Sequence, residues 1–261
     1  MAGGIVTHNC RCFPRPDHDK ESLPGAELTD PYHRELATAE FQRMFPDAVR
    51  TGTGAPDLML REWARSNGID LFVSPDAVSG LTWPKAERIA QGISRAREAM
   101  RTARSQITPD QVHWEIRHLS GTSVADQRRE SPNSAVIHVY EGHPAARSIP
   151  AGEAFIKQQV EEGWWPKGTR YVDIIVHEAG HASEMDGGYN LFNRWEDVFP
   201  FFPVDFALIR KDVSGYATRN PHEFVAEMFA ILTRTSPAQM NPKLINLYKN
   251  LGGVIPEVLP P

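Results

Sequence analysis

Ile174-Ile175-Val176-His177-Glu178-Ala179-Gly180-His181 is the stretch on which the reading of this chain turns. It carries H-E-x-x-H inside an apolar-led run, Tyr171 to Met185, whose spacing predicts a helix stopped by Gly187 and Gly188. Residues four apart share one helix face, so His177 and His181 can present two imidazoles to a single metal ion. Glu178 lies one position on, about 100° around the axis. It can touch a water beside that metal but is poorly placed to be a third ligand. This is the donor pattern of a zinc site that hydrolyses peptide bonds. Zinc supplies an acidified water and polarises the scissile carbonyl, and Glu178 is the expected proton acceptor. Ala179, Gly180 and Ala182 are small and allow another backbone to come close. The plain alternative is an amphipathic helix that binds no metal.

Two histidines leave one protein ligand to find. Downstream, Asn220-Pro221 reads as a helix cap followed by proline at the first helical position. Glu223 and Glu227 then lie four apart on one face of that helix and can reach a metal if it packs on the motif helix. Glu223 also fits a capping box, three positions after Asn220, which would leave Glu227 as the ligand. His222 would give a three-histidine site. From spacing alone, Glu223 leads only slightly.

The pair of H-E-x-x-H and the later Ser214-x-Tyr216-Ala217-x-x-Asn220-x-x-Glu223-Phe224-x-Ala226-Glu227 resembles the peptidase domain of anthrax lethal factor and its relatives. These are gluzincins, zinc peptidases whose third ligand is a glutamate. The resemblance spans about residues 112 to 233. It implies that His177, His181 and Glu223 bind Zn2+, and that Glu178 is the base. It further implies that Tyr216 donates to the developing oxyanion, a role that needs a donor aimed at the new charge. Glu227 would orient a ligand histidine from outside the metal shell. A protein or peptide substrate would pair with an edge strand, for which Ala135 to Tyr140 is the candidate. Pro221 departs from the pattern at a position that is usually variable.

A second resemblance is shorter. His8-Asn9-Cys10-Arg11-Cys12 is similar to the H-P-x-C-R-C signature of phage minor head proteins of the Mu F type, with the proline missing. It implies phage head or portal proteins as partners, and a phage virion or the host cytoplasm as location. His8, Cys10, Cys12 and His18 are a candidate second metal site, although their spacing matches no common structural zinc motif. Reduced thiols in an N-terminal arm are the simpler reading, because a disulfide between such near neighbours is strained.

The chain has 261 residues, 28 basic and 33 acidic, for a formal charge of −5. No block of like charge points to nucleic acid. No apolar stretch approaches a membrane span. Met1 to Thr7 shows neither the basic nor the apolar region of a signal peptide. Cysteine numbers only two, so folding rests on a buried core rather than on disulfides.

Residues 1–30, rich in proline, read as an N-terminal Cys/His arm and linker. A helical part over 31–105 follows. It holds a helix after Asp30-Pro31 with Leu36, Phe41, Met44 and Phe45, a second over Pro56 to Ala64, and a third from Thr82 to about Arg104. Arg88, Arg95, Arg97, Arg101 and Arg104 give that third helix a face read as solvated. Residues 106–261 form the catalytic part. Val112, Trp114 and Ile116 alternate as in a strand, and so do Ala135, Ile137 and Val139; the two are expected to pair antiparallel across a polar turn region, Ser120 to Asn133. Phe155, Ile156 and Val160 give helical spacing between Ile149 and Gly163. Leu191 to Val213 reads as irregular and aromatic. Helices are expected over Asn220 to Thr233 and Pro237 to Leu251.

The expected class is α+β: a zincin-like metallopeptidase with a small antiparallel sheet and two active-site helices, preceded by a helical region. The expected function is a zinc-dependent endopeptidase, with two rivals. One is a virion structural protein using the same fold as a scaffold; the other is a secreted or injected protease toxin. Trp164-Trp165 and Trp195 to Phe206 are where specificity would sit, though bulky aromatics are more often core.

Overall fold

Proline at the first helical position, where its missing N–H costs nothing, starts four of the α-helices among the described residues. The structure is a computed structural model that describes residues 55–118, 124–131, 133–143, 149–184 and 202–259. In chain order the elements are α1 (Pro56–Ser66), β1 (Leu71–Val73), α2 (Pro75–Val78), α3 (Trp83–Ala103), β2 (Val112–Arg117), β3 (Ala125–Ser131), β4 (Ser134–Tyr140), α4 (Ile149–Glu161), α5 (Tyr171–Ser183), α6 (Phe202–Asp212), α7 (Pro221–Leu232) and α8 (Pro242–Asn250). The class is α+β. No described helix is long and apolar enough to cross a membrane. The N-terminal arm, the helix expected after Asp30, the Gly187-Gly188 stop and Trp195 to Phe201 lie outside the described residues.

The sheet differs from expectation. It is mixed and four-stranded, ordered β1-β2-β4-β3. β2 pairs with β4 in parallel, Trp114 opposite Ile137, and not antiparallel. The segment read as a polar turn region contains β3, which pairs antiparallel with β4 and takes the outer position. Asp126, Arg128 and Glu130 made that strand look like a loop. A strand packed on one face only carries polar residues on the other, and here Arg128 and Glu130 are exposed. Ala135 to Tyr140 is therefore a central strand, and the two edges are β1 and β3. The central position also explains its composition: β4 is buried along nearly its whole length.

One face of the sheet supplies Val73, Trp114, Ile116, Ile137 and Val139 to an apolar cluster shared with α3 and α5. The same cluster reaches from Leu60 to Leu259 and so draws on both the 31–105 and the 106–261 parts. At the crossing of α3 and α5, Gly92 faces Ile175, whose Cδ1 lies 2.4 Å from where a Cβ would stand. A second cluster, with Ile209, Phe224, Met228, Leu232 and Tyr248, joins α6, α7 and α8. α6 falls within the stretch expected to be irregular. The last expected helix divides into a short 3-10 turn, Pro237–Gln239, and α8.

The arginine face of α3 is only partly solvated. Arg88 pairs with Glu153 and lies 4.9 Å from the centre of the Tyr171 ring. Arg97 donates to the Pro109 carbonyl at 2.9 Å. Arg95 approaches Asp173 at 3.9 Å. Long arginine stems lie along apolar surface while their heads reach polar partners, so an arginine stripe need not face water.

Asp173 ties the start of α5 to the end of α7. It accepts the Arg170 backbone N–H at 2.8 Å, closing the helix N-terminus. It also accepts from Arg234 at 2.9 Å, and Arg234 donates to the Gly168 carbonyl as well. α5 and α7 pack against each other through Gly180, where a Cβ would stand 2.9 Å from the Ala226 Cα. Only glycine allows this approach, which brings the carboxylates of α7 within reach of the histidines of α5.

Candidate metal centre

Three side chains converge where α5 and α7 touch. His177 and His181, one turn apart on α5, present their Nε2 atoms 3.1 Å from each other. Glu223 Oε2, from the first turn of α7, lies 3.2 Å from His177 Nε2 and 3.4 Å from His181 Nε2. All three side chains are buried. They form the cluster of metal-ligating groups found among the described residues. Four ligands at zinc–nitrogen and zinc–oxygen bond lengths stand about 3.3 Å apart at the corners of a tetrahedron. The triangle of donors therefore has the size of one tetrahedral face, and the residues present fit a zinc ion.

Of the three candidates for third ligand, Glu223 is the one whose carboxylate lies among the histidine nitrogens. Asn220 Oδ1 caps α7 by accepting from the Glu223 backbone N–H at 2.9 Å. The Glu223 carboxylate itself turns to His177, His181 and Tyr216. Burial pushes its carboxyl up, but the contacts from His177 and His181 hold it well below the usual carboxylate range. Glu227 stands one turn further on, with Oε1 3.8 Å from His177 Nδ1. It lies behind the histidine and not among the converging donors. Burial, with help from the Glu223 charge, pushes its carboxyl up to about 7. His222 points elsewhere: its Nδ1 is 2.8 Å from Glu184 Oε2.

Glu178 is fully buried on α5, next to His177 in sequence. Its charge is near enough to Tyr140, at the end of β4, to raise the Tyr140 hydroxyl, which burial raises first and its bond to Asp126 second. Tyr216 sits in a 3-10 turn, Tyr216–Thr218, just before α7. Its hydroxyl donates to Glu223 Oε1 at 3.0 Å, on the carboxylate oxygen turned away from the closer His177 contact.

Trp165 builds the wall of this site. Its ring meets His177 edge-on at 5.6 Å and lies nearly parallel to Tyr216 at 6.0 Å. Arg219 places its guanidinium 5.0 Å from the centre of the Tyr216 ring. Backbone bonds from Gly215 N to the Gly163 carbonyl at 2.7 Å and from Tyr216 N to the Trp164 carbonyl at 3.3 Å bring the two loops together. Of the two tryptophans, Trp165 is thus both core and site. Glu184 was missed by the sequence reading. It closes α5, three residues after His181, and the i,i+3 spacing was the available signal. His8, Cys10, Cys12 and His18 lie outside the described residues.

Comparison with protein-family models, with curated proteins and with solved structures finds no match to this chain. The functional reading therefore stands on the residues and their geometry.

Proposed function

We propose that this chain is a zinc-dependent endopeptidase of the gluzincin type. The observation that carries this reading is the buried triangle of His177 Nε2, His181 Nε2 and Glu223 Oε2, with sides of 3.1, 3.2 and 3.4 Å. The likeness of the two motifs to lethal-factor-type peptidases supports it. A zinc ion held there supplies Lewis acidity and an acidified water.

The chain's own residues supply the rest. Glu178 takes a proton from the attacking water and delivers it to the departing amine, which a buried carboxylate beside the metal ligands can do. Tyr216 offers a hydroxyl to the oxygen that gains charge as the carbonyl is attacked. Trp165 excludes water from one side and fixes the His177 and Tyr216 rings. β3, the sheet edge that packs beside α5, offers backbone groups with which an extended peptide substrate can pair. The resemblance of His8 to Cys12 to phage head proteins motivates a phage-borne setting for this activity.

The deciding test is cleavage of a diverse peptide mixture by the zinc-loaded chain, beside the same chain with Glu178→Gln. The reading expects cleavage that a chelator abolishes and that the variant lacks while it retains zinc. A zinc-loaded wild type that cleaves nothing contradicts it and favours a scaffold. Growth loss in a host that depends on Glu178 would assign the activity to a toxin.

A further inference from the structure

Behind each candidate ligand histidine stands a carboxylate. Glu227 Oε1 is 3.8 Å from His177 Nδ1, and Glu184 Oε1 is 3.7 Å from His181 Nδ1. Each histidine thus turns Nε2 to the donor triangle and Nδ1 to an acid. The second of these acids is anchored in its turn. Glu184 is buried at the C-terminal cap of α5, and its other oxygen lies 2.8 Å from Nδ1 of His222, the second residue of α7. The chain His181–Glu184–His222 therefore joins the end of the helix that gives two donors to the start of the helix that gives the third.

We infer that Glu184 is a positioning residue for the metal centre, orienting His181 through Nδ1 and held in place by His222. This rests on the zinc-site reading above. At 3.7 Å the Glu184 carboxylate faces His181 Nδ1 as an ion-pair contact, and a carboxylate on that side favours the tautomer with its proton on Nδ1 and strengthens Nε2 as a donor. His222, one of the sequence candidates for third ligand, then acts one residue removed from the metal. The interlock complements the Asp173–Arg234 pair at the opposite ends of the same two helices.

The test is an equilibrium zinc competition against a chromophoric chelator, run on the full chain and on Glu184→Ala, Glu184→Gln and His222→Ala. Loss of such a partner weakens metal binding by about 10- to 100-fold, and Glu184→Ala is expected in that range. Glu184→Gln keeps an acceptor for Nδ1–H and should recover part of the loss. His222→Ala leaves the carboxylate in place and should lose less than Glu184→Ala. Cobalt loaded in place of zinc should show visible bands shifted in Glu184→Ala, which a purely structural role would not produce. If Glu184→Ala fails to fold, the Gln variant and its cobalt spectrum decide.

Wild type binding zinc, with both Glu184 variants binding within about twofold of it, overturns this inference alone. A lower melting temperature with unchanged zinc affinity also overturns it. A wild type that takes up no zinc at His177, His181 and Glu223 overturns the metal reading and this inference together.

Discussion

Gly180 on α5 and Ala226 on α7 approach until a Cβ on the glycine would stand 2.9 Å from the Ala226 Cα. Phe229 closes the same space, at 3.0 Å from that Cβ. The contact sets the spacing of the two helices and with it the reach of Glu223. Gly180→Ala is expected to force the helices apart, at a cost of about 1–3 kcal/mol as for other overpacked cores. Zinc affinity should fall with stability, because the donor triangle opens. Thermal melting of the apo chain beside zinc titration checks both. An unchanged melting temperature would show that the packing is looser than described.

Exchanging the two glutamates of α7 separates ligand from support. Glu223→Ala removes a corner of the triangle; Glu227→Ala removes a group behind His177. Zinc affinity should drop far more for Glu223→Ala, while Glu227→Ala should cost about 10- to 100-fold. Isothermal titration of each variant measures the order. The reverse ranking would make Glu227 the ligand.

Tyr216→Phe keeps the ring that stacks on Trp165 and deletes the hydroxyl. Losing one donor to a developing oxyanion slows turnover by about 100- to 1,000-fold. The fall should appear in kcat, with KM little changed. Steady-state kinetics on a cleaved peptide reads it. An equal rise in KM with constant kcat would mean that Tyr216 only binds substrate.

The chemistry of the site was more legible than the sheet. H-E-x-x-H and the capped run from Asn220 are local signals, each confined to one helix, and local spacing places such residues well. The donors His177, His181 and Glu223 come together as the sequence suggested. β2 and β4 pair in parallel and not as the expected hairpin because β3, which lies between them in sequence, takes the antiparallel place beside β4. β3 hid in Ser120 to Asn133 because an edge strand needs no second apolar face. β1, three residues long, carries too few alternations to register. Glu184 carried a local signal in its i,i+3 spacing from His181, but its tie to His222, like that of Trp165 to Tyr216, rests on tertiary neighbours that no local pattern supplies.

Asp173 offers a test of the frame apart from the site. It is buried, and Arg170, Arg95 and Arg234 all approach it. Removing one member of a buried ion pair leaves the rest uncompensated and costs about 3–5 kcal/mol. Asp173→Ala should therefore lower chemical-denaturation stability by roughly that amount. A change under about 1 kcal/mol would mean that water reaches the arginines.

The most direct test of the central claim is metal analysis by difference. The dialysed wild-type chain and a His177→Ala/His181→Ala double variant would be loaded with zinc under the same conditions and assayed for bound metal per chain. A zinc ion held by the donor triangle predicts that the wild type carries one more ion than the variant, whatever any other cysteine or histidine binds. Equal zinc in the two proteins would contradict the account.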